Sequence, residues 1–267
     1  MVLKTAKEYR GKVVPRRHSW KGIMLPCVLL SLWQGITVSG IVKPMLLPSP
    51  AKVITAFAVM ATSGELGVHL GTSMVRVLEG FMLAALLGVG LGFGLGIFPL
   101  IFETMDGMIQ FIRPIPPIAW LPLSILWFGI EEGSKIFIIT LGAFFPIFIN
   151  VLDGIRQTDS KFVELAKVLE VPRGKFLAKV VIPGALPFII AGLRIGLGYA
   201  WMCVVAAELS AGMKGVGYML TDARALAQTD RVLVGMIAIG VVGKVMDSAL
   251  RSMEKKIVNW REVYIGA

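Results

Sequence analysis

Apolar residues in this chain fall in long unbroken runs, not in the alternating pattern of strands or the striped pattern of surface helices. Gly22 to Val42 carries no charged residue, and comparable runs cover Phe81 to Phe102, Pro114 to Ile130, Ile136 to Leu152 and Gly184 to Ala207, with a last one starting near Val232. A run of about 20 apolar residues in a helix crosses a hydrocarbon core of about 30 Å. The pattern predicts an all-α polytopic membrane protein with six transmembrane helices. Pro44 to Glu79 is mixed. Its apolar part, LLPSPAKVITAFAVM, is too short to span and precedes Glu65, His69 and Arg76, so we expect an interfacial helix leading into the second span.

Two spans carry unusual residues. In the second, Gly88, Gly92 and Gly96 fall on one helix face and Gly90 and Gly94 on another, which predicts close approach by two neighbouring helices. The third holds Pro114, Pro116, Pro117 and Pro122. Prolines remove backbone donors and leave carbonyls unpaired, so this segment must be buried among other helices or line a wet cavity.

The stretch from Asp159 to Pro187 differs from the rest because it is charged and amphipathic. It reads as two short helices joined by a turn. Phe162, Leu165, Ala166 and Leu169 recur at helical spacing in the first, and Phe176, Leu177, Val180 and Val181 in the second. Pro172 suits the first turn of the second helix, and Pro183 and Pro187 are expected to interrupt the chain before the fifth span. An apolar stripe outside the spans needs the headgroup layer or a groove on another protein.

Composition agrees with a membrane protein: 56% of the 267 residues are hydrophobic, 16% are charged and the mean hydropathy is +0.78. The net charge of +10 sits in patches between the spans, so membrane topology accounts for it and a nucleic-acid partner is not implied. Lys4, Lys7, Arg10, Lys12, Arg16, Arg17 and Lys21 crowd the N-terminal tail, and further basic residues lie between Arg156 and Lys179 and between Arg251 and Arg261. The outer turns hold only Lys135 and, in the longer one, Lys214, Arg224 and Arg231. Both termini and the amphipathic loop are therefore expected in the cytoplasm. The expected division is a basic tail over 1–21, one transmembrane domain over 22–250 with the cytoplasmic loop at about 153–183, and a second tail over 251–267.

Catalytic chemistry is not encoded. Only His18 and His69 are present, no cysteines cluster, and no G-x-x-x-x-G-K-[ST] or G-x-S-x-G occurs. No catalytic residue, metal site or cofactor is expected on this chain, so energy must come from an ion gradient or another subunit. Lys244 and Asp247, one helical turn apart in the last span, are expected to pair with each other. Arg194 in the fifth span admits two readings, an anion-attracting charge or an ion pair near the helix start. A secondary transporter would need a coupling-ion site, and no acidic residue lies centrally in any span. A membrane-embedded enzyme would need clustered Asp, His or Ser, and a scaffold subunit would leave the proline-rich span without a purpose.

Glu164-Leu165-Ala166, followed by Val180-x-Ile182-Pro183, resembles the EAA loop in the membrane subunits of binding-protein-dependent ABC importers. The run from Arg113 to Pro122, then Leu126-Trp127-Phe128-Gly129-Ile130, is similar to the nitrate, sulfonate and taurine branch of that family. So are Gly192-Leu193-Arg194-Ile195-Gly196-Leu197-Gly198, Ala206-Ala207-Glu208 and Gly215-Val216-Gly217-Tyr218. The resemblance implies a type I importer permease of the bacterial inner membrane, working as a homodimer with two ABC ATPase subunits and a periplasmic or lipid-anchored solute-binding protein. ATP and magnesium would then belong to the ATPase. It further implies that Phe162, Glu164, Leu165, Ala166, Lys167, Leu169, Glu170, Pro172 and Arg173 couple to that ATPase. Candidates to line or gate the pathway are Trp120, Trp127, Phe128, Arg194, Trp201 and Glu208. Glu170 stands where the family usually has glycine, so Gly174 takes over the turn or the turn is built differently. Leu165 replaces a commoner alanine, and Glu131 replaces a second glycine.

Overall fold

The computed structural model describes residues 21–258, and all their regular structure is helical. The basic tail over 1–20 and residues 259–267 lie outside the described residues.

Three long helices form the centre. They are α3 (Glu65–Ile97), α6 (Glu132–Arg156) and α9 (Ile182–Ala211), and α6 packs extensively against both of the others. Their core contains Val77, Ala84, Ile139, Ala143, Ile147, Val151, Ala185, Leu197 and Val204, all close to fully buried. Apolar packing alone does not bring helices together in lipid, so close backbone approach has to supply much of the attraction. Gly88, Gly92 and Gly96 lie against Ile147, Val151 and Ile155 of α6, while Gly192 and Gly196 of α9 close on Asn150 and Ile147. The other expected face is open: a side chain at Gly90 or Gly94 would meet nothing within 4 Å. Within this chain only one glycine face receives a neighbour.

The remaining helices surround this centre. α1 (Lys21–Val38) is apolar on all sides and largely exposed. α2 (Pro50–Thr62) begins at Ser49, whose hydroxyl accepts the Lys52 N–H, and it packs against α11 (Thr229–Ile257). α10 (Val216–Ala225) sits between α9 and α11. For orientation, the upper end carries Glu65, Glu132 and Ala211, and the lower end carries Ile97, Arg156 and Ile257.

Several expected boundaries move. The second span begins at Glu65, not Phe81, because the mixed segment continues as helix once Arg76 is paired inside the protein. It ends at Ile97, and the chain turns at Phe98 into α4 (Pro99–Ile112). The third span is no single helix. The prolines leave a 3-10 turn at Pro117–Trp120 and the eight-residue α5 (Leu121–Phe128), bent 87° from α4. Eight residues cover about 12 Å, too little to cross alone. Four helices are long and apolar enough to span, and the bent pair makes a fifth candidate; α1, which contains the apolar segment Met24–Val38, is shorter. Pro183 and Pro187 do not interrupt the chain. A continuous rod runs from α8 (Arg173–Phe176) through a π-helical stretch at Leu177–Val181 into α9. The wider π turn relieves the clash a proline ring makes with the preceding turn. The last helix continues to Ile257, past the expected start of the C-terminal tail.

A β-carbon at Gly92 would lie 2.8 Å from Val151 Cβ and 3.0 Å from the Phe148 carbonyl oxygen. Gly92→Ala should therefore destabilise the protein by about 1–3 kcal/mol, the range typical of overpacking, while Gly90→Ala should be neutral or slightly stabilising. Thermal unfolding of the two variants in the same detergent checks the contrast.

Candidate functional site

At the lower end the chain leaves α6 and forms α7 (Ser160–Val168), which starts at Asp159, whose carboxylate accepts the Lys161 N–H at 2.9 Å. None of its residues is buried, and Phe162, Leu165, Val168 and Leu169 are all more than half exposed. Glu164, Lys167 and Arg173 are also exposed, and Ala166 is half-buried. The helix ends in a Schellman turn. Val171 N–H donates to the Ala166 carbonyl at 2.9 Å and Glu170 N–H to the Lys167 carbonyl at 3.2 Å. Glu170 itself takes the left-handed conformation, with φ of +50°. The turn is thus built with the glutamate in the permissive position, and Gly174 does not take over.

The second expected stripe behaves differently from the first. Phe176 and Leu177 pack onto the central core, and Val181 belongs to it. Of the two expected stripes, that of α7 is the one left without a partner among the described residues. Pro172 is the residue just before α8, one position earlier than expected.

The upper end holds a buried polar network that connects four segments. The Glu208 carboxylate, 1% exposed, accepts from Arg76 Nη1 at 2.7 Å, from Ser73 Oγ at 2.8 Å and from the Gly217 N–H at 2.8 Å. Arg76 also donates to the Lys214 carbonyl at 2.6 Å and grips Glu132 with Nε and Nη2 at 2.5 and 2.6 Å. Lys135 reaches Glu132 at 3.3 Å. Ser73 Oγ accepts the Val216 N–H, and His69 Nδ1 accepts that of Gly215. Gly215, at φ of +114°, and Gly217 let the loop approach Glu208 this closely. A buried carboxylate is tolerated only with such a full set of donors.

Arg194 forms the ion pair of the two readings given above. It binds Asp247 at 3.0 Å and Glu254 at 3.1 Å, joining α9 to α11. Asp247 therefore pairs with Arg194 and not with Lys244, because a facing helix offers a guanidinium within reach. Trp201 is 5% exposed and donates its indole N–H to Met246 Sδ at 3.2 Å. Trp120 packs against the core, and its buried indole N–H finds no acceptor among the described residues. Trp127 and Phe128 are about half exposed and meet Phe137 edge-on and tilted, with centroids 5.9 and 5.4 Å apart.

None of these six candidates lines the two cavities that open along one face of α6. The first, about 320 Å³, is walled by Arg113, Gly142, Pro146, Asn150 and Tyr199 among others. The second, about 580 Å³, lies below it between α4 and the end of α6. Arg113 and Ile149 belong to both.

The model of the family described as binding-protein-dependent transport system inner membrane component matches residues 84–259. The chain belongs to this family. It is 43% identical over 262 residues, 98% of its length and 95% of the relative's, to a Bacillus subtilis protein provisionally named an aliphatic sulfonates transport permease protein, SsuC. It is 35% identical to the taurine transport system permease protein TauC of Escherichia coli, covering 87% of this chain and 86% of that one. A structure of the MetNI methionine ABC transporter in an inward-facing conformation shares the fold, with a TM-score of 0.59 at 16% identity, over 71% of this chain and 96% of that one. The chain is a multi-pass inner-membrane permease of the ABC importer class, in the sulfonate, taurine and nitrate branch.

Within the permease, three of the motifs that carried the resemblance now have physical roles. Ala206-Ala207-Glu208 and Gly215-Val216-Gly217 are the two halves of the upper network, and the glycines around Arg194 seat α9 on α6. Sequence reasoning missed Ser73 and Arg76 as partners of Glu208, and Glu132 as the second carboxylate that Arg76 holds. The available signal was the i, i+3 spacing of Ser73 and Arg76 on one face of a mixed segment that leads into an apolar span.

Arg76→Ala leaves the Glu208 carboxylate buried without its cation and should destabilise the permease by about 3–5 kcal/mol. Arg194→Ala removes pairs that water reaches and should change stability by less than about 1 kcal/mol. Denaturant unfolding of both variants tests the ordering. Glu170→Gly should stabilise the Schellman turn by up to about 1 kcal/mol, seen as slower amide exchange over residues 166–171.

Proposed function

We propose that this permease forms half of a translocation pathway for a small anionic solute of the sulfonate, taurine or nitrate kind, and that α7 with its turn is the handle an ATPase subunit grips. One observation carries the coupling assignment: the apolar stripe of Phe162, Leu165 and Leu169 stands exposed beyond the ends of the spans with no partner among the described residues. Because α7 is joined directly to α6 and, through its turn, to the α8–α9 rod, force applied to it reaches two of the three central helices. The basic residues of the lower end support a cytoplasmic position for it, with both termini on the same side.

In this reading two copies of the chain enclose the pathway, two ATPase subunits hold ATP and magnesium, and a solute-binding protein delivers cargo at the upper face. ATP-driven closure of the ATPase pair shifts the α7 segments and biases the spans between inward-open and outward-open states. Glu164, Lys167 and Arg173 supply polar contacts around the apolar grip, and Leu165 and Ala166 pack within it. Trp127 and Phe128, on open surface, are suited to an aromatic wall of the pathway, and Trp120 packs against the core. Arg194, Trp201 and Glu208 hold the helices together around it. The relatives named for sulfonates and taurine support the solute class.

Burying one leucine side chain is worth about 2–3 kcal/mol, a factor of roughly 30–150 in affinity. Leu169→Asp should weaken ATPase capture by at least that factor, measured by co-purification of the tagged permease with its ATPase. A complex that forms at the wild-type level and still couples ATP hydrolysis to uptake would overturn the assignment.

A further inference from the structure

Building on the anion-importer reading, the geometry points to Arg113 as the residue that selects the solute's charge. Arg113 is the C-cap residue of α4, where the prolines bend the chain away toward α5. Its level can be read from α6, because it shares a cavity with Pro146 and Asn150. Those residues lie about 10–15 Å from the Arg156 end of α6 and more than about 20 Å from the Glu132 end. An arginine at that depth is expensive unless something neutralises it.

Arg173, Arg224 and Arg251 are exposed and line neither of these two cavities, and the remaining arginines have partners. Arg76, Arg194 and Arg231 are paired with carboxylates, and Arg156 lies over the Phe102 ring at 3.6 Å. Arg113 is exposed to the cavities and has no ion pair or side-chain hydrogen bond among the described residues. The carbonyl end of α4 offers it only partial negative charge. Its two cavities differ in charge. The lower one also holds Asp106, Asp153 and Arg156, and is balanced. No carboxylate lines the upper one, where Arg113 is the single charge, accompanied by Asn150 and Tyr199. Asn150 donates its amide to the Pro146 carbonyl at 2.8 Å, leaving its own oxygen, and the Tyr199 hydroxyl is a second polar group on the wall. A cavity of about 320 Å³ with one unpaired guanidinium suits a compact oxyanion. The guanidinium fork matches two oxygens of a sulfonate or nitrate group, as it does for carboxylate and phosphate. Arg113 is therefore a solute-contacting residue of the pathway, and the charge class of the cargo is enforced within the permease as well as by the binding protein.

The test uses the complete complex of permease, ATPase and binding protein in proteoliposomes, with radiolabelled taurine, ethanesulfonate and nitrate as probes. For the probe that the wild type takes up, Arg113→Ala and Arg113→Gln should lower ATP-driven uptake at least tenfold, and Arg113→Lys should retain an intermediate rate, because it keeps the charge and loses the fork. Co-elution of each variant with the ATPase establishes assembly. If Arg113→Ala fails to assemble, the Gln and Lys variants carry the comparison. Uptake by Arg113→Gln at the wild-type rate sinks the proposal while leaving the anion-importer reading in place. If the wild type itself moves none of the three probes with ATP, both readings fall together. An anionic lipid headgroup would offer Arg113 the same chemistry. A loss of uptake seen only in vesicles containing phosphatidylglycerol, and absent in pure phosphatidylcholine, would assign Arg113 to lipid and overturn its role toward solute.

Discussion

The close approach of α3 and α9 to α6 is the constraint on which the rest of this permease depends. In lipid the hydrophobic effect does not distinguish a helix neighbour from an acyl chain, so association rests on packing contact and on interhelical polar bonds. Glycines supply the first at Gly88, Gly92, Gly96, Gly192 and Gly196, where backbone meets Ile147, Asn150, Val151 and Ile155 with no β-carbon between. Polar side chains supply the second at both ends: Arg76 with Glu208 and Glu132 above, Arg194 with Asp247 and Glu254 below. The two clamps differ in character. In the upper one Arg76 and Glu208 are buried and Glu132 is open to water, while every member of the lower one is partly exposed, so the lower end is the softer of the two.

That asymmetry suits the proposed mechanics. The segment offered to the ATPase hangs from the lower end, attached to α6 on one side and to the α8–α9 rod on the other. A π-helical stretch lies between that attachment and the body of α9. It accommodates Pro183 without breaking the helix, which keeps the rod continuous from the grip into the core. The bent α4–α5 pair opens against the same α6, so the helix that receives the push also forms a wall of the cavities.

The residue Glu170, where the resemblance implies glycine, is accommodated locally. Glu170 occupies a left-handed position that glycine would take without strain, yet the Schellman hydrogen bonds still form around it. The turn is thus held by its carbonyl acceptors as well as by the residue type, and α7 keeps its direction.

The unbroken apolar runs and the basic patches were enough to predict a polytopic helical membrane protein and to set α7 apart as a charged amphipathic segment, since each is a property of the chain's local composition and period. The sequence also showed that the third span could not be an ordinary helix. What it could not show was pairing between distant positions. Whether Asp247 met Lys244 or Arg194 depended on which helix faced α11. Whether the stripe of Phe176, Leu177 and Val181 was orphaned depended on the angle at which the rod left the core. The partners of Glu208 come from two other segments, α3 and the start of α10, and the isolation of Arg113 is visible only once every neighbouring carboxylate has been placed. Periodicity records which face of a helix is apolar; only the packed structure decides what that face, or the charge beside it, finally meets.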